Sequence, residues 1–306
     1  MPISPGRLAA ALLALPLAAL PAASQLPPPT LPQTMTQRSL AALPQPKPAE
    51  TIRYGEAEAQ VVELFLPRNR PDGLLPAVVL VHGGCWQAKV AGRELVRPAA
   101  GALAEQGFAV WSVGYRRVDE EGGGFPGTFA DVAAAIDLLA AQAAERGIDR
   151  SRVAFLGHSA GGHLALWGAA RHRLPKGSVL AAEAPLRPRG VVAAGGLPDL
   201  EADARVIRAA CGLDPAATLG DPDAKSPFAE TSPAALLPSG VPVTLVHGIY
   251  DGVAFPEIGL RYAQRARRAG DRADLFVVPN AGHFEVIAPG TRGFDIVLGA
   301  LEQMLR

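Results

Sequence analysis

The chain has 306 residues, with 29 basic and 29 acidic side chains and therefore a formal net charge of zero. This balance gives no indication of a nucleic-acid or acidic-lipid partner, which would require an excess of Lys and Arg. Apolar residues make up 49% and charged residues 19%, which predicts a globular protein and excludes an intrinsically disordered one.

The first part of the chain has the order of a secretory signal peptide. Arg7 precedes an apolar run from Leu8 to Leu20, and the small residues Ala22 and Ser24 follow it. We predict cleavage after Ser24, so that residues 1–24 are the signal peptide and the protein is secreted or periplasmic. The run holds 13 residues, with Pro16 inside it, which is short of the ~20 needed to span a bilayer. We therefore expect no stable membrane insertion, with a membrane anchor as the alternative.

Residues 25–50 contain seven prolines and only a weak apolar pattern. This composition predicts either an extended linker or a tail that lies on the surface. We expect the folded domain to cover residues 51–306.

From residue 51 onward, strand-like and helix-like stretches alternate. We predict strands at 59–67, 76–84, 108–116, 151–157, 190–196, 241–248 and 273–280, and helices at 93–106, 128–146, 160–173, 257–269 and 293–305. Residues 197–240 break the alternation with six prolines and one helical stretch at 201–211, and we interpret them as a small cap insertion. The fold class is α/β: a mostly parallel central sheet flanked by helices, with reactive loops at the carboxyl ends of the strands.

Residues that can carry out chemistry follow four of these strands. Ser159 lies in "GHSAGG", Asp251 in "HGIYDGVAFP" and His283 in "NAGHFEVI", while the loop "HGGCW" occupies 82–86. Because the carboxyl ends of parallel strands meet at one edge of the sheet, we expect all four to converge there.

A serine hydroxyl needs a base to become a nucleophile, and the base needs a third group that fixes its tautomer. We assign Ser159 as nucleophile, His283 as base and Asp251 as the orienting acid, with Asp199 as the rival acid. Gly157 and Gly161 keep side chains away from a tight strand-to-helix turn around the nucleophile.

Backbone N–H groups are expected to hold the oxyanion that forms during attack. We assign this role to Gly84, Cys85 and Ala160. In the same loop, Gly83 supplies conformational freedom, His82 supports the loop by hydrogen bonds, and Trp86 packs beneath it.

Together, the "HGGCW", "GHSAGG", "HGIYDGVAFP" and "GHF" blocks resemble the α/β-hydrolase superfamily over residues 51–306. They are most similar to its H-G-G-x-W esterase branch, which includes kynurenine formamidase-like and carboxylesterase-like enzymes. The resemblance implies the α/β-hydrolase fold and a serine hydrolase that cleaves small carboxylic esters without a cofactor or a metal. An arylformamidase-type amide hydrolase, an exopeptidase-like hydrolase and an inactive binding module are the alternatives.

The chain has only two cysteines, Cys85 in the oxyanion loop and Cys211 in the cap insertion. Export would place both in a compartment where disulfides persist. We therefore predict a disulfide between them, the alternative being two separate buried thiols.

Overall fold

A computed structural model describes Met1 and residues 33–306. The predicted signal peptide, apart from Met1, and the first part of the predicted linker lie outside the described residues. From residue 33 to the end, the chain forms one compact unit.

In the described part of the chain, eight strands form one sheet with the order β1-β2-β4-β3-β5-β6-β7-β8. The strands are β1 (Glu50–Arg53), β2 (Val61–Phe65), β3 (Leu75–Val81), β4 (Ala109–Val113), β5 (Ile148–His158), β6 (Val191–Ala194), β7 (Val243–Gly248) and β8 (Ala273–Val278). Strands β3 to β8 are parallel, and β1 and β2 are antiparallel to their neighbours. The predicted fold class is confirmed, with an antiparallel edge added.

Helices cover both faces of the sheet. They are α1 (Gln37–Ala41), α2 (Arg97–Glu105), α3 (Gly127–Gln142), α4 (Ala160–Ala170), α5 (Ala204–Cys211), α6 (Pro215–Leu219), α7 (Pro256–Ala269) and α8 (Arg292–Leu305). Along β3, Val79 and Val81 join the core on one face, whereas Val78 and Leu80 join the core on the other. A strand buried on both faces has a continuous apolar sequence, as β3 has.

Several strands and helices begin or end at other residues than the sequence predicted. Strand β3 ends at Val81, so the whole of 82–84 belongs to the following loop, and the helix predicted at 93–106 starts with a 3-10 turn over 93–96. Strand β1 was not predicted, because its exposed residues have no apolar alternation that a sequence pattern could reveal.

The predicted domain start at residue 51 is wrong. Residues 33–50 pack on the domain, α1 lies within them, and Leu40 is buried in the core beside α2. One buried leucine among polar and proline residues is too little to produce a periodic signal, which is why the sequence suggested a linker or a surface tail.

The cap insertion, residues 197–240, contains α5, α6 and a 3-10 turn at Pro233–Leu236. Its backbone is hydrogen bonded to the domain below: Trp167 Nε1 donates to Glu230 O at 2.8 Å, and Phe125 N donates to Thr218 O at 3.0 Å. Among residues 33–306, no helix combines the length and the apolar character needed to cross a membrane.

Candidate active site

Ser159 occupies the sharp turn between β5 and α4. Its backbone is in the left-handed region, with φ 55° and ψ −122°, where a non-glycine residue is strained. A Cβ at Gly157 would lie 2.0 Å from the carbonyl oxygen of Gly161, and a Cβ at Gly161 would lie 2.1 Å from that of Val81. The turn therefore requires glycine on both sides of Ser159, and it places the serine at the N-terminus of α4, which favours negative charge.

Asp251 and His283 form a hydrogen-bonded pair. His283 Nδ1 lies 2.8 Å from Asp251 Oδ2, while the other carboxylate oxygen accepts from the backbone N–H groups of Val253 and Ala254, both at 2.8 Å. Burial alone would raise the pKa of Asp251, but the bonds from His283 and from these N–H groups outweigh it and lower the pKa. The ionised carboxylate keeps the proton on Nδ1, so that Nε2 can accept one.

The rival acid, Asp199, pairs with an arginine and not with His283. Its Oδ1 accepts from the N–H of Ala202 at 3.1 Å and its Oδ2 from Arg265 at 2.9 Å, whereas the hydrogen bond to His283 Nδ1 comes from Asp251. Of the two candidate acids, the structure places only Asp251 against His283.

Ser159 and the Asp251–His283 pair both contact the end of β6. The N–H of Ser159 donates to Ala194 O at 2.9 Å. The next residue is Gly195, where a Cβ would lie 3.1 Å from His283 Nδ1 and 3.3 Å from Asp251 Oδ2. The side chain of Ser159 makes no capping hydrogen bond to α4. Sequence reasoning missed Gly195, although a double glycine after a strand could have indicated a close approach.

The "HGGCW" loop packs against Ser159. A Cβ at Gly83 would lie 2.9 Å from the Cβ of Ser159. Gly84, Cys85 and Trp86 have φ of 108°, 53° and 54°. Within residues 33–306, none of the backbone–backbone hydrogen bonds of turns and loops uses the N–H groups of Gly84, Cys85 or Ala160 as donors.

Buried aromatic side chains hold this loop. The ring of His82 stacks on Tyr115 with centroids 4.4 Å apart, and its Nδ1 lies 2.7 Å from Gly83 O. Burial lowers the pKa of His82 to about 3, so the ring is neutral and Nδ1–H donates to the carbonyl. Trp86 is fully buried, and its Nε1 donates to His163 Nδ1 at 3.2 Å. His163 Nε2 in turn donates to Thr231 O of the cap at 2.8 Å.

A disulfide joins Cys85 to Cys211, with Cα atoms 5.4 Å apart. It attaches the oxyanion loop to the last residue of α5. Gln87 Nε2 adds a hydrogen bond to Cys211 O at 2.8 Å. The pairing suggested by the sequence is thus present, and the alternative of two separate thiols is not.

Two more buried histidines support the pair, one by a contact with His283 and one through the turn that binds Asp251. His158 Nε2 donates to His283 O at 2.9 Å, and the two rings lie 4.7 Å apart. Burial, followed by the neighbouring His283, lowers the pKa of His158 to about 3. His247 Nδ1 donates to Ala254 O at 2.8 Å, which supports the turn that binds Asp251. The sequence indicated neither role, because the His158 contact joins segments far apart in the chain and the His247 contact depends on how the loop after β7 folds back.

The sheet order, the strained turn before α4 and the loops grouped above it are those of an α/β-hydrolase. Residues 62–256 match the model of the BD-FAE family, which is more than half of the chain, so the chain belongs to this family. The match includes the oxyanion loop, Ser159 and Asp251. His283 and the residues before 62 lie outside it.

The individual proteins described next share 21–32% sequence identity with this chain. Esterase LipC of Mycobacterium tuberculosis is 32% identical over 115 residues, which is 37% of this chain and only 27% of LipC. A truncated carbohydrate esterase from gut microbiota has a TM-score of 0.66 at 22% identity, covering 85% of this chain and 99% of that one. Thermogutta terrifontis esterase 2, phosphorylated by paraoxon, has a TM-score of 0.65 at 21% identity, covering 84% and 92%. At these identities, the two structural likenesses concern the fold.

Proposed function

We propose that the protein is a serine esterase that cleaves small carboxylic esters through an acyl-enzyme on Ser159. The observation that carries the proposal is the Asp251–His283 hydrogen bond of 2.8 Å beside the strained turn at Ser159. N–H groups on the opposite loop add the oxyanion donors.

In the first half of the proposed reaction, the Ser159 hydroxyl attacks the carbonyl carbon while His283 Nε2 takes its proton. The negative charge on the carbonyl oxygen is held by the N–H groups of Gly84, Cys85 and Ala160. His283 then gives the proton to the leaving alcohol, and the acyl group stays on Ser159. Water, deprotonated by His283, releases the acid and restores the serine.

Asp251 acts through His283 in both halves. The imidazolium that forms during each attack lies 2.8 Å from a carboxylate that two backbone N–H groups hold in place. The buried, neutral His82 and His158 add no competing positive charge near the site.

Among the alternatives, an arylformamidase-type amidase would use the same residues on an N-formyl substrate, and an exopeptidase-like hydrolase would use them on a peptide. Relatives named as esterases, such as LipC, favour esters. An inactive binding module is disfavoured, because every catalytic position is filled.

We also propose that the cap forms a fixed wall of the substrate pocket. The disulfide at Cys211 attaches the cap to the oxyanion loop, and the hydrogen bond from His163 to Thr231 O attaches it to α4. Shortening residues 212–235 should therefore change substrate preference more than the rate on an acetate ester.

Export of the protein is likewise a proposal. It is supported by the order of residues 1–24 and by a disulfide that persists in oxidising compartments. Mass spectrometry of protein recovered from the periplasm or medium should find Gln25 as the first residue; an intact N-terminus would contradict it.

Labelling by a fluorophosphonate tests the central proposal, with Ser159→Ala as control. We expect the wild type to label at Ser159 and to hydrolyse p-nitrophenyl acetate, and the variant to do neither. No labelling would favour an inactive scaffold. Faster turnover of N-formylkynurenine than of any p-nitrophenyl ester would favour the amidase.

A further inference from the structure

A short stretch at the start of the described chain touches the loop of His283 and the segment directly behind the oxyanion loop. We propose that residues 34–37, the N-terminal strap, hold the loop of His283 and the oxyanion loop in their catalytic positions. This inference rests on the proposed esterase function. The strap lies outside the stretch that matches the family, which begins at residue 62.

At one end, the strap contacts the residues on both sides of His283. A Cβ at Gly282 would lie 2.8 Å from the Cβ of Thr34. The N–H of Met35 donates to Oε1 of Glu285, and Oε2 of the same carboxylate accepts from the N–H of Gly282 at 2.9 Å. Glu285 therefore joins the strap to the loop that carries His283.

At the other end, the strap contacts the segment behind the oxyanion loop. Gln37 Nε2 donates to Val90 O at 2.8 Å. The next residue, Ala91, packs on Gly84, where a Cβ would lie 2.8 Å from the Cβ of Ala91. The N–H groups of Val90 and Ala91 both donate to Gln87 O, and Gln87 N donates to Gly84 O at 2.9 Å. A displacement of Val90 is therefore transmitted to Gly84.

The strap is anchored in the domain. Thr36 caps α1 by accepting from Ser39 N at 3.1 Å, and Leu40, in the same helix, is buried in the core. Only Thr36 separates Met35 from Gln37, and the two Cα-to-Cα steps between them reach at most ~7 Å. The two loops therefore cannot move apart without breaking a bond to the strap.

This positioning matters because a displacement of ~1 Å at a catalytic group can cost up to about a hundredfold in rate. The strap residues do not touch the reacting atoms. They are positioning residues, and their loss should lower kcat while KM stays nearly constant.

Gln37→Met is the test variant, since it keeps the chain length and removes the donor to Val90. The matched control is Gln45→Met, because Gln45 donates only to Ala41 O and Leu43 O of its own segment. Active sites are counted by fluorophosphonate titration, and kcat and KM are measured on p-nitrophenyl acetate. Hydrogen–deuterium exchange is followed over residues 84–91 and 281–285.

We expect Gln37→Met to lower kcat per titrated site about tenfold, to leave KM within about twofold, and to speed exchange in 84–91. Gln45→Met should match the wild type. Glu285→Gln keeps only one acceptor oxygen for two N–H donors, and should lower kcat and speed exchange in 281–285.

Equal kcat per titrated site in Gln37→Met and Gln45→Met, or a loss only in the number of titrated sites, would overturn the inference. A wild type that neither labels nor turns over would instead refute the esterase function. In that case, the exchange rates alone decide whether the strap holds the loops.

Discussion

Removing the Cys85–Cys211 bond is the perturbation whose effect can be worked out furthest from the structure. The substitution Cys211→Ser breaks the bond in the cap and leaves the oxyanion loop unaltered in sequence. The bond spans a sequence separation of 126 residues. The chain-entropy relation sets its contribution to the free energy of unfolding at about 5 kcal/mol at most, with about 2–4 kcal/mol typical.

This free energy predicts how far the melting temperature, Tm, falls when the bond is removed. The entropy of unfolding is about 2.1 cal/mol/K per residue, or about 0.6 kcal/mol/K for a unit of this size, so Tm should fall by about 3–8 °C. The activity should fall as well, because Cys85 carries one of the proposed oxyanion donors and loses its covalent attachment to α5. We expect kcat to drop by about threefold to tenfold, since small displacements of a donor are costly.

The assay is calorimetry together with kinetics on p-nitrophenyl acetate, for oxidised wild type, reduced wild type and Cys211→Ser. Reduced wild type and the variant should agree, and the reductant should leave the variant unchanged. An unchanged Tm on reduction, or full labelling of both thiols in unreduced, denatured protein, would refute the reasoning. A lower Tm with unchanged kcat would show that the disulfide contributes to stability and not to activity.

The remaining predictions concern single side chains. Ser159→Ala should lower kcat by about six orders of magnitude with an unchanged melting curve, and residual turnover near the wild-type rate would rule out the nucleophile. Asp251→Asn should cost about 10⁴ in kcat, because it favours the wrong tautomer of His283, while Asp199→Asn should stay near wild type; the reverse order would show that the acid is misassigned. Burial raises the pKa of Asp203 to about 6 despite its bond to Arg261. Since the folded state then holds this proton to higher pH than the unfolded state, stability should decrease from pH ~4 to pH ~6. Asp203→Asn should flatten that part of the Tm profile, and an unchanged slope would contradict the assignment.

The sequence was most informative where one residue type has one physical reason to be present. Glycines at 157 and 161 indicated a turn with no room for a Cβ, and in the structure a Cβ added at either position would lie within 2.1 Å of a backbone oxygen. The continuous apolar sequence of β3 indicated a strand buried on both faces, and β3 pairs with β4 and β5.

It was least informative for contacts made by ordinary residues. The sequences around Gln37 and Glu285 contain no recognisable motif. In the structure, however, these two residues join the strap to the loop of His283 and to the segment behind the oxyanion loop. His158 is a second example. In the sequence it directly precedes Ser159, but in the structure its ring contacts His283.

The sequence by itself determined the class of fold, the position of Ser159, Asp251 and His283 after successive strands, and the glycines of the turn at Ser159. These follow from periodicity, from local stereochemistry and from the position of strand ends, all of which act over a few residues. Only the tertiary structure decided that Asp251 and not Asp199 meets His283, that Cys85 lies close enough to Cys211 to bond, and that residues 34–37 contact the loop of His283 and the segment behind the oxyanion loop. Each of these is a distance between segments far apart in the chain, and such distances are set by the packing of the whole domain.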